Sequence, residues 1–270
     1  MKDEALRVAR EAGQKDKNLG RNRLREYMQH LILRELFETE ILNELIFHGG
    51  TALRMLHGLN QFSEDLDFHL ADPDPKYKLQ PVLAELEKRM DKQGYRMTFT
   101  EPTEEPVVSS FLKYEQLLYE ANLSAHENEK LSIKLEIDTR PPAGFGIDSS
   151  LLSEYFIFSL KHHDRASFLA GKCHAVLQRS YAKGRDYFDL LFYLNRWSEI
   201  SPNFEYLNNA LAQTEYEGPK ITDDNWKKLI QKQVKTVDWT AVKEDARPFL
   251  LDTSDLKAFQ KKFLLENLED

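Results

Sequence analysis

The spacing of hydrophobic positions along the chain predicts most of its helices. From Arg21, apolar residues recur at intervals of three to five, as on one face of a helix: Leu24, Tyr27, Met28, Leu31, Ile32 and Leu36. Similar patterns predict helices at 79–94, 166–181, 186–197, 204–211, 223–235 and 254–268. The first 20 residues are highly charged and weakly periodic. They predict either a marginal helix or a mobile arm.

Alternation of apolar and polar residues predicts β-strands in the first half of the chain. In 131–138, every second residue is apolar (Leu131, Ile133, Leu135, Ile137), and the residues between them are polar (Ser132, Lys134, Glu136, Asp138). One face of this strand is therefore core and the other polar. A second strand, 64–70, places Asp65 and Asp67 on one face and Leu66 and Phe68 on the other. A short apolar strand leads into Gly49, and the region 95–138 as a whole has a strand-like pattern.

The run Pro141-Pro-Ala-Gly-Phe-Gly146 interrupts both patterns and is the best candidate for a domain boundary. We expect residues 1–140 to form an α+β core with N-terminal helices. We expect residues 141–270 to form a mainly helical C-terminal domain.

Composition excludes several classes of protein. The 270 residues are 41% hydrophobic and 30% charged, as in a globular protein. A single cysteine, Cys173, excludes an internal disulfide framework and a cysteine-rich zinc site. The N-terminus lacks a signal-like apolar run, and no stretch approaches the roughly 18 apolar residues of a membrane span. These features predict a cytoplasmic protein that does not contact a membrane. With a net charge of −8, any contact with nucleic acid requires a local basic patch.

The most informative segment is Phe47-His-Gly-Gly-Thr-Ala-Leu53, followed by Gln61-Phe-Ser-Glu-Asp-Leu-Asp-Phe68. Gly49 and Gly50 allow close approach of the backbone to a ligand, and Thr51 is expected to cap a helix over 52–57. Two carboxylates about 4 Å apart repel by roughly 4 kcal/mol at an effective dielectric of about 20. A divalent cation offsets this repulsion. Mg²⁺, with Mn²⁺ as a second choice, binds one or two carboxylates and leaves sites for phosphate oxygens.

A third carboxylate on the neighbouring strand would complete such a site, and Glu136 and Asp138 compete for this role. Asp138 is preferred because it lies at the end of its strand. An isolated Asp-x-Asp is most often a solvated strand face, but the preceding Gly-Gly-Thr favours a functional site. Ser63 is expected to support the strand locally and is also a candidate nucleotide contact. His48 and His69 are expected to make structural hydrogen bonds.

A second group of candidates lies in the C-terminal half. Lys172 can neutralise triphosphate charge, and the pair Arg185/Asp186 can orient it. Asp186 and Asp189 fall on one face of their helix. The alternative is a structural salt-bridge cluster with Asp186 in the first helical turn. Taken alone, the pattern favours this alternative.

In combination, four blocks resemble the AbiEii/AbiGii family of toxin nucleotidyltransferases, which also includes the mycobacterial MenT toxins. The blocks are Gly49-Gly-Thr-Ala-Leu53, Phe62-Ser-Glu-Asp-Leu-Asp-Phe68, Lys172 within Leu169-Ala-Gly-Lys-Cys-His-Ala175, and Arg185-Asp-Tyr-Phe-Asp-Leu190. Their order and spacing fit the family. The resemblance extends over roughly 31–194.

The resemblance implies a polymerase-β-like nucleotidyltransferase core, with a small mixed sheet flanked by helices and a helical C-terminal region. It implies a toxin of a toxin–antitoxin or phage-defence system, with an antitoxin encoded nearby. Family members bind a nucleoside triphosphate and Mg²⁺, and some add nucleotides to the 3′ end of tRNA, which blocks aminoacylation and translation.

By motif match, Asp65 and Asp67 are metal ligands and Lys172 is the lysine on the triphosphate side. Asp186 or Asp189 is the acidic residue of the last motif, and the resemblance implies that the C-terminal domain contributes these residues to the cleft. One departure is Gln61, where many members carry arginine. It puts the nucleotide preference in doubt.

Three functions follow from these observations. The first is transfer of NMP from an NTP to an RNA 3′ hydroxyl, with tRNA as the expected acceptor. The second is nucleotidylation of a protein hydroxyl, and the third is an inactive nucleotide-binding or interaction module. The intact pair Asp65/Asp67 argues against the third.

An RNA acceptor would need basic residues on the protein surface, and the candidates are Lys227, Lys228, Lys232 and Lys235. The alternative is that these lysines form an ordinary solvated helix face.

Overall fold

The computed structural model describes residues 1–104 and 106–269 and divides into two compact units. The first unit comprises Met1–Leu56, Ser63–Pro141 and Ser149–His162. The second comprises His57–Phe62, Pro142–Asp148 and the chain from His163 onward. Two strands that follow the break at Pro141, and that the sequence pattern does not predict, lie largely in the first unit.

The first unit is built on a mixed sheet with the strand order β3-β4-β5-β2-β1-β7-β6. The strands are β1 (Leu45–His48), β2 (Asp65–Leu70), β3 (Met97–Phe99), β4 (Val107–Tyr114), β5 (Leu131–Asp138), β6 (Ile147–Leu152) and β7 (Phe158–His163). β2 runs parallel to β5 and antiparallel to β1, and β4 runs antiparallel to both β5 and β3. The predicted α+β class with a mixed sheet flanked by helices is confirmed.

The first unit also contains helices. They are α1 (Lys2–Gly13), α2 (Lys17–Glu38), α3 (Gly49–His57), α4 (Gln80–Lys92) and α5 (Leu117–Glu120). Helix α2 begins where the side chain of Asp16 accepts a hydrogen bond from the backbone N–H of Leu19, and it packs against β5. Of the two expectations for the first 20 residues, the helix is correct, because Ala5 and Ala9 are fully buried.

The second unit is mainly helical. Its helices are α6 (Arg165–Gln178), α7 (Gly184–Arg196), α8 (Phe204–Gln213), α9 (Trp226–Thr236), α10 (Trp239–Ala246) and α11 (Lys261–Glu266). The single helix predicted over 254–268 is wrong: a 3₁₀ turn at Thr253–Lys257 precedes α11. The chain leaves helical geometry at Gln260 (φ −115°, ψ 141°) while Phe259 is buried against Phe188 and Trp239, so tertiary packing overrides the helical pattern. No helix among the described residues is long and apolar enough to cross a membrane.

Candidate active site

The strand register brings the predicted carboxylates together on one face of the sheet. Asp67 pairs with His48 of β1 on one side and with Glu136 of β5 on the other. Glu136 in turn pairs with Ser109 of β4. Residues paired across a sheet point to the same face, so these four side chains form one row. The alternate residues Leu66, Phe68, Leu135 and Ile137 are buried on the opposite face.

Gly49 is the point of closest approach between the Gly-Gly turn and the aspartates. Its φ is +78°, in the left-handed region that favours glycine. A Cβ at this position would collide with Oδ2 of Asp67 and lie 3.0 Å from its Cγ. The carboxylate of Asp67 therefore occupies the space that any side chain at position 49 would need.

Thr51 connects the start of α3 to Asp65, the first of the two aspartates. Its hydroxyl donates a hydrogen bond to the backbone carbonyl of Asp65, and its side chain is buried. The prediction that Thr51 caps a helix over 52–57 is wrong, because α3 begins at Gly49 and Thr51 lies within its first turn. The first N–H groups of a helix have no partners within the helix. Those of α3 lie beside the strand that carries both aspartates.

Lys134 is a residue of this face to which the sequence analysis assigns no role. It pairs in register with Asp65, and its Nζ lies 2.7 Å from Oε1 of Glu136. Burial disfavours the charged amine, but the hydrogen bond to Glu136 and the charges of Asp65 and Asp67 outweigh burial and raise the pKa of Lys134. The strand alternation, which puts Lys134 on the polar face of 131–138, was the available signal.

Asp138 lies two residue pairs further along β5 than Glu136, on the same face. It pairs with His69 rather than with either aspartate of β2, and its Oδ1 accepts a hydrogen bond of 2.9 Å from the backbone N–H of Arg140. Burial raises the pKa of Asp138, against the opposing effect of Arg140. The register therefore favours Glu136 over Asp138 as the carboxylate next to Asp67.

These residues fit a Mg²⁺ ion that is completed by phosphate. Within residues 1–104 and 106–269, no three or more His, Cys, Asp or Glu side chains are grouped so that they would hold a metal ion by themselves. Mg²⁺ is commonly held by only one or two carboxylates together with substrate phosphates and water. The hard oxygen donors of Asp65 and Asp67, with Gly49 leaving room for Asp67, match that mode.

Lys172, Asp186 and Asp189 form a buried ionic cluster within the second unit. Nζ of Lys172 lies 2.5 Å from Oδ2 of Asp189 and 3.4 Å from Oδ1 of Asp186. Arg179 adds a second cation, with its Nε 2.8 Å from Oδ2 of Asp186. Lys172 is 9% exposed, and Asp189 only 1%. These ion pairs agree with the alternative of a structural salt-bridge cluster, and the role of Lys172 on the triphosphate side stays a prediction.

The two aspartates of the cluster differ in their electrostatics. Burial raises the pKa of Asp189, and the charge of Lys172 only partly opposes it. For Asp186, burial is also the largest effect, but Lys172, Arg179 and Lys183 together outweigh it and lower the pKa. The same aspartates raise the pKa of Lys172 despite its burial, so the cluster holds this lysine charged.

Gln61, the departure from the family pattern, belongs to this cluster. Its Nε2 donates a hydrogen bond of 2.7 Å to Oδ1 of Asp189 and lies 3.3 Å from the backbone carbonyl of Arg185. Gln61 is 2% exposed. An amide at this position thus binds the carboxylate as a neutral donor.

Arg185, a candidate nucleotide contact, packs on an aromatic ring. Its guanidinium lies over the ring of Phe249, 3.9 Å from the centroid.

The remaining candidates lie in two places. The backbone carbonyl of Ser63 accepts a hydrogen bond of 3.1 Å from Gln29, which agrees with local support of the strand.

On α9, an exposed face carries Lys228, Lys232 and Lys235, opposite the buried Trp226, Ile230 and Val234. Lys227 instead donates a hydrogen bond of 3.2 Å to the backbone carbonyl of Glu269.

The mixed sheet and its helices define a protein of the nucleotidyltransferase fold class. The chain belongs to the family described as nucleotidyl transferase AbiEii toxin, type IV TA system, whose profile matches residues 31–264. This match confirms the resemblance on which the four sequence blocks agree. A toxin–antitoxin family implies an antitoxin partner and a nucleoside triphosphate substrate. No curated protein matches the chain.

Solved structures with a similar arrangement are distant in sequence. A candidate nucleotidyltransferase of H. pylori is 20% identical, with 91% of this chain and 96% of that chain covered and a TM-score of 0.45. JHP933 from Helicobacter pylori is 18% identical over 90% of this chain and 85% of that one, with a TM-score of 0.46. An antigenic nucleotidyltransferase-like protein from Paracoccidioides brasiliensis is 15% identical over 75% and 91%, with a TM-score of 0.44.

Proposed function

We propose that this protein is a Mg²⁺-dependent toxin that transfers NMP from an NTP to an RNA 3′ hydroxyl. The tRNA 3′ end is the proposed acceptor, and the result would be a block of translation in the cytoplasm, as in phage defence. The observation that carries the proposal is the close approach of the Asp67 carboxylate to Gly49. Asp65 lies on the same face of β2, and its backbone carbonyl accepts a hydrogen bond from Thr51 in the first turn of α3.

The residues on the polar face of the sheet and at the start of α3 have different roles in the proposed reaction. Asp65 and Asp67 hold the metal ion, which supplies positive charge to the phosphate oxygens when it is bound. The first N–H groups of α3, from Gly49, Gly50 and Thr51, bind triphosphate oxygens, because a helix N-terminus favours anions. Glu136 is the third carboxylate and receives the proton of the attacking hydroxyl at Oε2, since Lys134 already binds Oε1.

The bond changes are those of a simple phosphoryl substitution. The hydroxyl oxygen of the acceptor bonds to the α-phosphorus, the bond from that phosphorus to the bridging oxygen breaks, and pyrophosphate leaves. Lys134 stays charged throughout and fixes the orientation of Glu136. In this proposal, the buried Lys172, Asp186 and Asp189 act by maintaining the structure of the second unit.

A transfer assay tests the proposal. The protein is incubated with Mg²⁺, each labelled NTP in turn, and total tRNA or cell lysate, beside the variant Asp65→Ala/Asp67→Ala. Label on tRNA that is lost in the variant supports RNA transfer and names the nucleotide. Label on protein bands would instead establish protein nucleotidylation. Absence of label with every NTP, or equal label with the variant, would contradict the proposal.

A further inference from the structure

An exposed aromatic ring lies on the polar face of the sheet, the face that carries Asp65 and Asp67. Phe111 is in the middle of β4 and is 42% exposed, although its neighbours Ser110 and Leu112 are almost fully buried. A single exposed apolar side chain is common on protein surfaces and needs no explanation by itself. The position of Phe111 relative to the carboxylates is what gives it significance.

The register puts Phe111 in the same row as the first metal aspartate. Asp65 of β2 pairs with Lys134 of β5, and Lys134 pairs with Phe111 of β4. All three side chains therefore point to the same face, and Phe111 is two strands away from Asp65. Two strand spacings correspond to about 10 Å. A bound nucleotide has to cover a distance of this order between its phosphate and its base, which the ribose separates.

The charges around the ring also fit a nucleotide. Nζ of Lys134 lies over the Phe111 ring, 5.9 Å from its centroid, and Lys134 is on the strand between those of Phe111 and Asp65. Lys113, two residues along β4, points to the same face and pairs with Ser132 of β5 and Thr98 of β3. Basic side chains thus flank the ring, while Asp65 lies further along the same row and Asp67 and Glu136 lie in the neighbouring row. An exposed ring beside cations is the combination with which proteins hold single-stranded nucleotides, where bases stack on the ring and cations attract phosphate.

We propose that Phe111 is a stacking platform for a nucleobase whose nucleotide is bound at Asp65 and Asp67. This inference rests on the function proposed above. The base belongs either to the incoming NTP or to the 3′ end of the RNA acceptor, which share the same stacking chemistry. Because every base has a π-face, the platform accepts all four bases, and preference for one nucleotide arises elsewhere.

Binding rather than turnover tests the platform directly. In Phe111→Trp, a base that stacks on the new indole quenches its fluorescence, measured as the difference from the wild type, which contains three tryptophans. The probes are each NTP with Ca²⁺ in place of Mg²⁺, and separately a short single-stranded oligoadenylate. Tyr119→Trp is the matched control, because Tyr119 is an exposed aromatic of similar exposure (46%) outside this face. Quenching by NTP identifies the incoming nucleotide, and quenching by oligoadenylate identifies the acceptor.

A second variant measures the contribution of the ring. Phe111→Leu keeps an apolar side chain but removes the stacking surface. We expect the probe that quenches the fluorescence of Phe111→Trp to bind Phe111→Leu at least about fivefold more weakly than the wild type, whereas Tyr119→Leu leaves binding unchanged. Unchanged binding in Phe111→Leu, or no quenching in Phe111→Trp by a probe that binds the wild type, would overturn the platform. Quenching in a protein that transfers no nucleotide would keep the platform and refute the proposed function.

Discussion

Asp67 fills the space in which any side chain at Gly49 would lie. This relationship makes a substitution at position 49 a test of the site as well as of the backbone. Gly49→Ala would strain the left-handed φ of +78°, which costs about 1–2 kcal/mol of stability. It would also displace the carboxylate of Asp67, and a displacement of about 1 Å at a reacting centre lowers a rate by roughly 10²-fold.

Gly58→Ala is the matched control for this variant. Gly58 has a similar φ of +72°, but no atom lies within 4 Å of a Cβ built there. We expect both variants to lose similar stability in urea unfolding, and only Gly49→Ala to lose transfer activity. Equal activity of the two variants would mean that Asp67 is not required in its observed position.

The pairing of Asp67 with Glu136 leads to a second prediction. Glu136→Gln keeps the size of the side chain and removes its ability to accept a proton, so we expect kcat to fall by about 10²–10⁴-fold. Asp138→Asn, two residue pairs further along β5, should retain activity within about tenfold of the wild type on the same basis. Single-turnover rates of both variants decide between the two carboxylates. A larger loss of rate in Asp138→Asn than in Glu136→Gln would instead assign the role of third carboxylate to Asp138.

Burial of the Lys172 cluster leads to a third prediction. Lys172→Ala leaves Asp189 and Asp186 buried without their common cation, and removal of one partner from a buried pair costs about 3–5 kcal/mol. We expect the free energy of unfolding to fall by that amount in urea titration. Lys228→Ala, at an exposed position of α9, should change it by less than about 0.5 kcal/mol.

A double variant separates a structural role of Lys172 from a role in binding the triphosphate. Lys172→Met/Asp189→Leu removes cation and anion together and should recover most of the lost stability. If the stabilised double variant binds NTP as the wild type does, Lys172 acts through the fold. Weaker NTP binding at normal stability would show that Lys172 contributes to binding the triphosphate.

Local patterns predicted the parts of the candidate site that lie close together in sequence. Gly49, Asp65 and Asp67 are within 20 residues of one another, and alternation alone puts both aspartates on one strand face, as observed. The choice between Glu136 and Asp138 could not be made in this way. With a period of two, both face the same side, and only the non-local register of β2 against β5 tells which one meets Asp67.

Contacts over long sequence distances account for the other differences. The hydrogen bond from Gln61 to Asp189 spans 128 residues, and nothing near Gln61 in the sequence indicates it. Phe259 fits the periodicity of a continuous helix, but its burial against Trp239 bends the chain. Tertiary packing decided these features, and it overrides the weak preferences that a single sequence shows.

Acid sensitivity should depend on the ion pair between Arg21 and Glu129, which joins α2 to the loop before β5. Hydrogen bonds from Arg21 (2.6 Å) and Ser124 lower the pKa of Glu129 from 4.5 to about 2. Since the folded-state pKa is depressed, this contribution to stability is present above pH 4.5 and is lost as the pH falls toward 2. Glu129→Gln should therefore be less stable at neutral pH, and its stability should fall less steeply between pH 4.5 and 2.

Urea unfolding at a series of pH values measures this difference. Glu127→Gln is a suitable control, because Glu127 lies in the same loop and accepts a hydrogen bond from the neutral amide of Gln116. If the stability of Glu129→Gln falls as steeply as that of the wild type between pH 4.5 and 2, the ion pair does not contribute to acid sensitivity.

The exposed lysines of α9 provide the last prediction, which concerns the acceptor. If Lys228, Lys232 and Lys235 contact RNA phosphates, replacing all three by alanine should weaken RNA binding and flatten its salt dependence. Each phosphate contact on a single strand contributes a slope of about −0.7 in log K against log salt, so the expected change is about 2. Lys76, Lys88 and Lys92, all exposed in the first unit, give a triple-alanine control with the same change in net charge. Binding of labelled tRNA between low and moderate salt measures both slopes. Identical slopes for the two triple variants would show an ordinary solvated face on α9, and the phosphate contacts would then have to lie elsewhere.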